Sequence, residues 1–358
     1  MSSMSPPSFR LDRPASRAII NCGPLPFGSP HRSAQFFSND RSRKHRPMTT
    51  SDTLFHEGEL MAQRNAGERD IAERNGATVG RTIVRGALPF VRQQKTAYAA
   101  SLDRNGQVWA SILLGEPGFL APSDDAAALS VDLGKVARLD ADPFWENIRH
   151  DARIGLLLLE PQSRRRLKIN GEAHLESDRL EVQVTKSFPI CPRYIHRREI
   201  TLPHPGEAAP SSTASHGHEL GPEQLALIGD ADTFFLASAH ATRGADCSHR
   251  GGPRGFVRHA GDGVLRIPDY NGNSMFNSFG NFLLNPQAGL AFPDYERRRV
   301  LQLAGTVEMM WNQSDPAGLT GGTGRFWEFR TSHWIESELP ATLQAKFIEF
   351  SPFLPKVD

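Results

Sequence analysis

Within five residues, Ser248-His249-Arg250-Gly251-Gly252, the chain sets a hydroxyl, an imidazole and a guanidinium ahead of two glycines. Such a set can hold an anion. Arginine pairs bidentately with a phosphate or carboxylate, a hydroxyl donates to it, and glycines let backbone N–H groups come close. The plainer alternative is a surface arginine beside an ordinary hairpin turn. Further on, Pro268-Asp269-Tyr270-Asn271-Gly272 is turn chemistry. Met275, Phe276, Phe279 and Phe282 then recur at helical spacing, with Asn273, Asn277 and Asn281 on another face. Met275 and Phe276 could wall a ligand or fill the core, and the amides of Asn277 and Asn281 need partners if buried. Gln302 lies on an alternating strand, residues 300–307. The order strand, Gly-rich turn, strand, short helix, strand, strand reads as an anion pocket on a β framework. No nucleophile–base pair stands out, so the catalytic residues stay unnamed. Cys247-Ser248-His249 lacks metal-ligand spacing, and no metal is expected.

The elements that must position these groups are mostly strands. Residues 53–75 have a helical pattern, and residues 97–102 and 108–114 flank Asn105-Gly106 as a hairpin. Residues 127–133, 154–159 and 167–171 read as strands, with a short helix over 143–148. Ala100-Ser101 returns as Ala237-Ser238 and Gly118-Phe119 as Gly255-Phe256, both 137 residues later. Asn147, Gly155, Arg164-Arg165 and Gly171 return 134 residues later as Asn281, Gly289, Arg298-Arg299 and Gly305. A period this long reads as a duplicated β domain rather than a solenoid. The anion-type residues fall only in the second half. Where it has CSHRGGPRG the first has SILLGEPG, so the first half supplies the opposing wall.

The 358 residues carry a formal charge of +1 and are 39% hydrophobic, which points to neither nucleic acid nor membrane. Three distant cysteines, Cys22, Cys191 and Cys247, form no disulfide framework and suit a reducing compartment, with the cytoplasm expected. Residues 1–47 are rich in Ser, Pro and Arg and read as a disordered tail, or as a transit peptide that would make the location mitochondrial. Residues 54–200 form the first repeat, 201–222 a linker with solvated His204, His216 and His218, and 223–312 the second repeat. Residues 313–358 read as a strand and an apolar helix (341–350) packing on the barrel, with Trp327 and Trp334 as core.

The runs SHRGG…GFVR (248–258), IPDYNGNSMFN (267–277), LLNPQAGL (283–290) and LQLAG (301–305), with Cys191-Pro192-Arg193-Tyr194-Ile195 before them, carry a resemblance. Over residues 54–312 the chain resembles the flavin-nucleotide-binding branch of the pyridoxamine 5'-phosphate oxidase-related FMN-binding split barrels. That resemblance implies a mainly-β protein of two tandem split barrels with short helices. It implies one FMN, held mainly by the second repeat through Ser248, His249, Arg250, Gly251, Pro268, Asp269, Tyr270, Met275, Asn277, Asn281 and Gln302. The family usually places FMN at a dimer interface, so the first repeat stands in for a partner, and a homodimer stays open. The implied function is a flavin-dependent oxidoreductase with a small-molecule substrate and an electron donor not named by the sequence. The alternatives are a flavin carrier without turnover and a barrel for another ligand such as haem. The chain departs from the true oxidases at Phe276-Asn277-Ser278, where they carry a Ser-Arg-Lys motif. Phosphate binding must therefore lean on Arg250, and oxidation of pyridoxamine phosphate is not implied.

Overall fold

The computed structural model describes residues 54–202, 214–341 and 343–356, so the expectations for residues 1–47 and for His204 lie outside the described residues. The chain opens with α1 (Glu57–Ala66) and α2 (Arg69–Gly76) rather than one helix over 53–75. Gly67 at φ 68° ends α1, its N–H turned back to the Arg64 carbonyl, a left-handed close that glycine makes without strain. The other end is capped by His56, whose Nδ1 accepts the Gly58 N–H while Glu59 accepts the His56 N–H.

After α3 (Leu88–Arg92) come β1 (Thr96–Leu102), β2 (Val108–Gly115), β3 (Leu120–Pro122), β4 (Ala128–Asp132), β5 (Val136–Ala137), α4 (Phe144–His150), β6 (Arg153–Glu160), β7 (Arg165–Leu175) and β8 (Arg179–Ile190). These strands form one sheet in the order β3-β4-β8-β7-β6-β1-β2-β5. The chain continues through β9 (Arg197–Thr201), β10 (Ala214–Gly217), α5 (Pro222–Asp230), β11 (Thr233–His240), β12 (Gly244–Gly251), β13 (Arg258–Gly261) and β14 (Val264–Pro268). It ends with α6 (Asn277–Phe282), β15 (Gln287–Asp294), β16 (Arg299–Met310), β17 (Phe326–Glu338) and β18 (Gln344–Glu349). The second sheet runs β12-β11-β15-β16-β17-β14-β13, with β10 added to β17, and β18 pairs with β9 as a ribbon. The protein is mainly β, as expected.

Three boundaries move. β10 and the start of α5 lie inside the stretch read as a linker, where Gly217 packs flat on Trp334. β17 is an inner strand between β16 and β14, so the second sheet extends to Glu338 instead of closing at residue 312. Residues 344–349 are a strand, not a helix: Lys346 and Phe347 lie opposite Glu199 and Arg198 of β9. Ladder pairing outweighs a weak helical periodicity there.

Seven strands of the two sheets follow the same order, β3-β4-β8-β7-β6-β1-β2 and β13-β14-β17-β16-β15-β11-β12, while β5 and β10 have no counterpart. Ala100 faces Gly155 across β1/β6, and Ala237 faces Gly289 across β11/β15. Both sheets bulge at a glycine, Gly171 and Gly305, where a Cβ would sit 2.1 and 2.0 Å from the carbonyl oxygens of Gln183 and Arg330. Asn147 donates to Ser101 in one sheet (3.0 Å) and Asn281 to Ser238 in the other (2.9 Å). Each sheet has its own apolar core, and a third core lies between them, with Tyr98, Leu157, Phe235, Ala237 and Ala291 fully or almost fully buried. Contact across it is reciprocal. Gly155 lies against the backbone of Ala245 and Asp246 on β12, and Gly289 against that of Trp109 and Ala110 on β2. Among the described residues, no helix is long and apolar enough to cross a membrane.

Candidate anion-binding cleft

The close approach at Gly155 brings the edge strand β12 onto β6 and β7 of the first sheet, and a cleft opens beside that contact. β12 contributes Ser248, His249 and Arg250, and β7 contributes Arg166 and Lys168, two residues apart and so on one face. The chain after β8 adds Arg193 and Tyr194, the turn after β14 adds Pro268, Asp269 and Tyr270, and α6 adds Asn277 and Ser278. Arg325 enters from just before β17. About 870 Å³ of space, the open solvent at the mouth included, lies between these walls.

The charges are unequal. Lys168 Nζ sits 2.7 and 2.6 Å from the two Asp246 oxygens, and Arg325 binds Asp269 (2.9 Å) and Glu68 (2.7 Å). Arg166 and Arg250 are bonded otherwise. Arg166 donates to the carbonyls of Cys191 (2.8 Å) and Arg193 (3.3 Å), and its Nη1 is 3.4 Å from His249 Nδ1. Arg250 reaches the His249 carbonyl (3.2 Å), while its buried Nε has no partner. Among the described residues neither guanidinium has a carboxylate at ion-pair distance. Burial holds both pKa values below the ordinary arginine range; at Arg250, Asp269 opposes this and Arg166 adds to it. Five cations (Arg166, Lys168, Arg193, Arg250, Arg325) stand against three carboxylates (Asp246, Asp269, Glu68), an excess of two charges. A partly desolvated cation without a counter-charge is costly, and an anion entering the cleft relieves that cost. His249 does not add to the charge. Burial pushes its imidazole well below the ordinary range, with Arg166 lowering it further, so the ring is neutral at pH 7.

Most of the residues singled out from sequence meet here: Ser248, His249, Arg250, Gly251, Pro268, Asp269, Tyr270 and Asn277 all border the cleft. Their roles differ from the reading in places. Residues 248–251 are strand rather than turn, so the glycines offer no cradle of free amides. A Cβ on Gly251 would lie 2.1 Å from the Tyr194 carbonyl oxygen, and the Gly252 N–H goes to Asp232 (3.0 Å). The glycines admit the neighbouring chain; side chains face the cleft. Asn277 donates to Glu59 of α1.

Three residues lie elsewhere. Met275 packs with Phe55, Ala72 and Phe188. Asn281 bridges His56 (3.1 Å) and Ser238. Gln302 donates to the Ala110 carbonyl (2.8 Å) on the opposite side of the intersheet core. Its register equivalent on the first sheet is Lys168: Lys168 faces Leu157 as Gln302 faces Ala291. Carrying Gln302 back by the 134-residue offset would have found Lys168, and the same step from Val300 finds Arg166. Arg193, Tyr194, Ser278 and Arg325 were also missed. Tyr194 holds a left-handed φ of 67°, its hydroxyl on the Asn271 carbonyl (2.9 Å) and its ring 4.9 Å from Tyr270. Such a backbone is a strained choice for a side-chain residue and persists only when its surroundings hold it.

No family model matches the chain, and no curated protein matches it. Solved structures show likeness over about a third of it. HupZ of Group A Streptococcus is 15% identical with a TM-score of 0.25, over 32% of this chain and 90% of its own. A Clostridium acetobutylicum protein related to general stress protein 26 of B. subtilis, of the pyridoxinephosphate oxidase family, is 14% identical with a TM-score of 0.26, over 35% and 92%. The heme storage protein HutZ of Vibrio cholerae is 16% identical with a TM-score of 0.23, over 35% and 93%. Scores this low add nothing to what the cleft's own geometry carries.

Proposed function

We propose that the chain is two tandem split-barrel units binding one FMN in the cleft between them, and that it works as a flavin-dependent oxidoreductase on a small molecule. The observation that carries this is the pair Arg166 and Arg250, two half-buried guanidiniums without carboxylates at ion-pair distance, facing one cleft. A phosphomonoester dianion matches the excess of two charges, and planar guanidiniums match its oxygens. Arg166 and Arg250 hold the phosphate, Pro268, Tyr270 and Phe279 offer apolar surface to a flat ring, and Asn273 and Asn277 offer amides to its polar edge. Bound there, the flavin supplies the electron transfer, and the protein supplies binding, orientation and electrostatics.

A haem reading has one observation in its favour. Two propionates carry the same charge, and the neutral His249 ring borders the cleft. Against it, His249 Nδ1 faces Arg166, and its ring lies 5.6 Å from that of Phe235. Visible absorbance of the purified protein separates the two, with FMN or haem supplied in excess to wild type and Arg250→Ala. A flavin spectrum that weakens in the variant supports the FMN reading. A haem band without flavin uptake replaces it, and uptake of neither removes the cofactor assignment.

A further inference from the structure

Arg166 and Arg250 account for anion binding, but Lys168 has a different setting. Its ammonium is 3% exposed and already matched by Asp246, so it adds nothing to the cleft's excess charge. It also donates to Ser248 Oγ at 2.9 Å; Ser248 Oγ in turn donates to Asp246 (3.3 Å) and accepts from Ser278 Oγ (3.0 Å). Ser278 borders the cleft on α6. Asp246, Lys168, Ser248 and Ser278 therefore form one unbroken hydrogen-bonded chain from a buried ion pair to the cleft wall. On the other side of the intersheet core the matching run lacks the ion pair and the second serine. Trp109 replaces Asp246, Gln302 replaces Lys168 and donates to Ser111 (3.3 Å), and Phe144 replaces Ser278, so that Ser111 donates instead to the buried Asp142 (2.6 Å). Among the described residues of the two matching sites, the ion pair and the serine pair stand together only at the cleft. Hydroxyls spaced at hydrogen-bond distance are what passing a proton requires.

We propose that Lys168 supplies, through Ser248 and Ser278, the proton for a two-electron reduction in this cleft; the proposal rests on the flavin reading. Reduced flavin bound there would supply the hydride equivalent to the acceptor, a quinone or other carbonyl compound. Its oxygen takes the Ser278 hydroxyl proton. For this both hydroxyls turn about Cβ–Oγ, Ser278 from Ser248 toward the acceptor and Ser248 from Asp246 toward Ser278; Ser278 is refilled from Ser248 and Ser248 from Lys168, whose Nζ becomes a neutral amine beside Asp246. The acceptor would thus gain one hydride equivalent from the flavin, which would be oxidised by two electrons, and one proton from the relay, and water at the cleft mouth returns a proton along the same chain. Asp246 on β12 and Lys186 on β8 are the charges that act on Lys168, with Cys247 nearby and the Phe188 ring 5.9 Å away. Burial lowers the Lys168 pKa and Lys186 adds to that, while Asp246 opposes both; the net is below the ordinary lysine range. The rate therefore falls as pH rises through that lowered value.

The test uses the full chain loaded with FMN, reduced anaerobically and mixed with 1,4-naphthoquinone across a pH range. Lys168→Arg keeps a cation opposite Asp246 but does not release a proton; Ser278→Ala removes the last link and touches no ion pair. Both are expected to bind FMN and to reoxidise about 100-fold more slowly, with the alkaline limb lost in Lys168→Arg. A second readout needs no cofactor: the Lys168 ε-carbon NMR shift should titrate below the free lysine value. Flavin-loaded variants with wild-type rate and pH profile overturn the relay alone, as does a lysine titrating normally. Wild type that takes up no flavin overturns the cofactor reading, and the relay with it.

Discussion

The two sides of the intersheet core share a backbone plan and differ in what fills it. On the open side stand Arg250, His249, Arg166, Lys168 and Ser278; the matching positions on the other side are Leu113, Ile112, Val300, Gln302 and Phe144. Those four apolar residues are almost fully buried in the core, while the cations border an open cleft. Backbone register alone therefore does not make a binding site. What makes one is the choice of side chains on an edge strand and on the strand that packs across from it. On the closed side the same frame is packed shut by Leu113, Ile112, Val300 and Phe144.

Transplanting the closed side onto the open one should have the largest effect. The double variant Arg166→Val/Arg250→Leu is expected to lose FMN affinity by more than about 100-fold, since each charge-assisted pair contributes roughly 1.5–3 kcal/mol. Without ligand it should unfold at a temperature no lower than wild type, because replacing unmatched half-buried charge by apolar groups is neutral or stabilising. Thermal unfolding beside an absorbance titration checks both, and a variant that binds FMN normally breaks the comparison.

The paired glycines sharpen it. Cβ atoms on Gly155 and Gly289 would each meet backbone at 2.6 Å, so Gly155→Ala and Gly289→Ala should both destabilise by about 1–3 kcal/mol in denaturant unfolding. Only Gly155 presses on Asp246 and β12, so only Gly155→Ala should weaken FMN binding as well. Equal loss of binding in the two variants would mean the cleft depends on the whole intersheet contact.

A smaller, pH-dependent effect belongs to the closed side. Asp142 is buried, and burial raises its pKa to about 6 despite bonds from Ser111 and the Phe144 N–H. Its register equivalent on the open side is Phe276. A carboxyl with a folded pKa above its unfolded value binds more protons when folded, so stability falls as pH rises from about 4 to about 6 and stays lowered above that. Asp142→Asn keeps the acceptor oxygen and should flatten that slope, adding at most roughly 3 kcal/mol at pH 7. An unchanged slope would show that Asp142 titrates as an ordinary carboxyl.

Much of this was legible in the sequence. Alternation and Asn105-Gly106 placed the β1–β2 hairpin, and spaced glycines exposed the correspondence of Gly155 with Gly289 and Gly171 with Gly305. The SHRGG run led to the cleft because its residues are contiguous on one strand. Arg166 and Lys168 were not legible locally, since they join Arg250 and Ser248 only through packing between sheets some 80 residues apart. The misplacement of Gln302 has the same cause: its strand type was right, but its sheet faces the closed side. The role of Gly251 depends on where the Tyr194 carbonyl lies, which spacing does not show.

The most direct test of the account compares FMN with riboflavin, which has the same ring and no phosphate, by titration calorimetry on the wild-type protein. If Arg166 and Arg250 hold a phosphate, FMN should bind at least about 100-fold more tightly, and 0.5 M salt should narrow the gap. Equal affinities for the two would contradict the assignment of those two arginines.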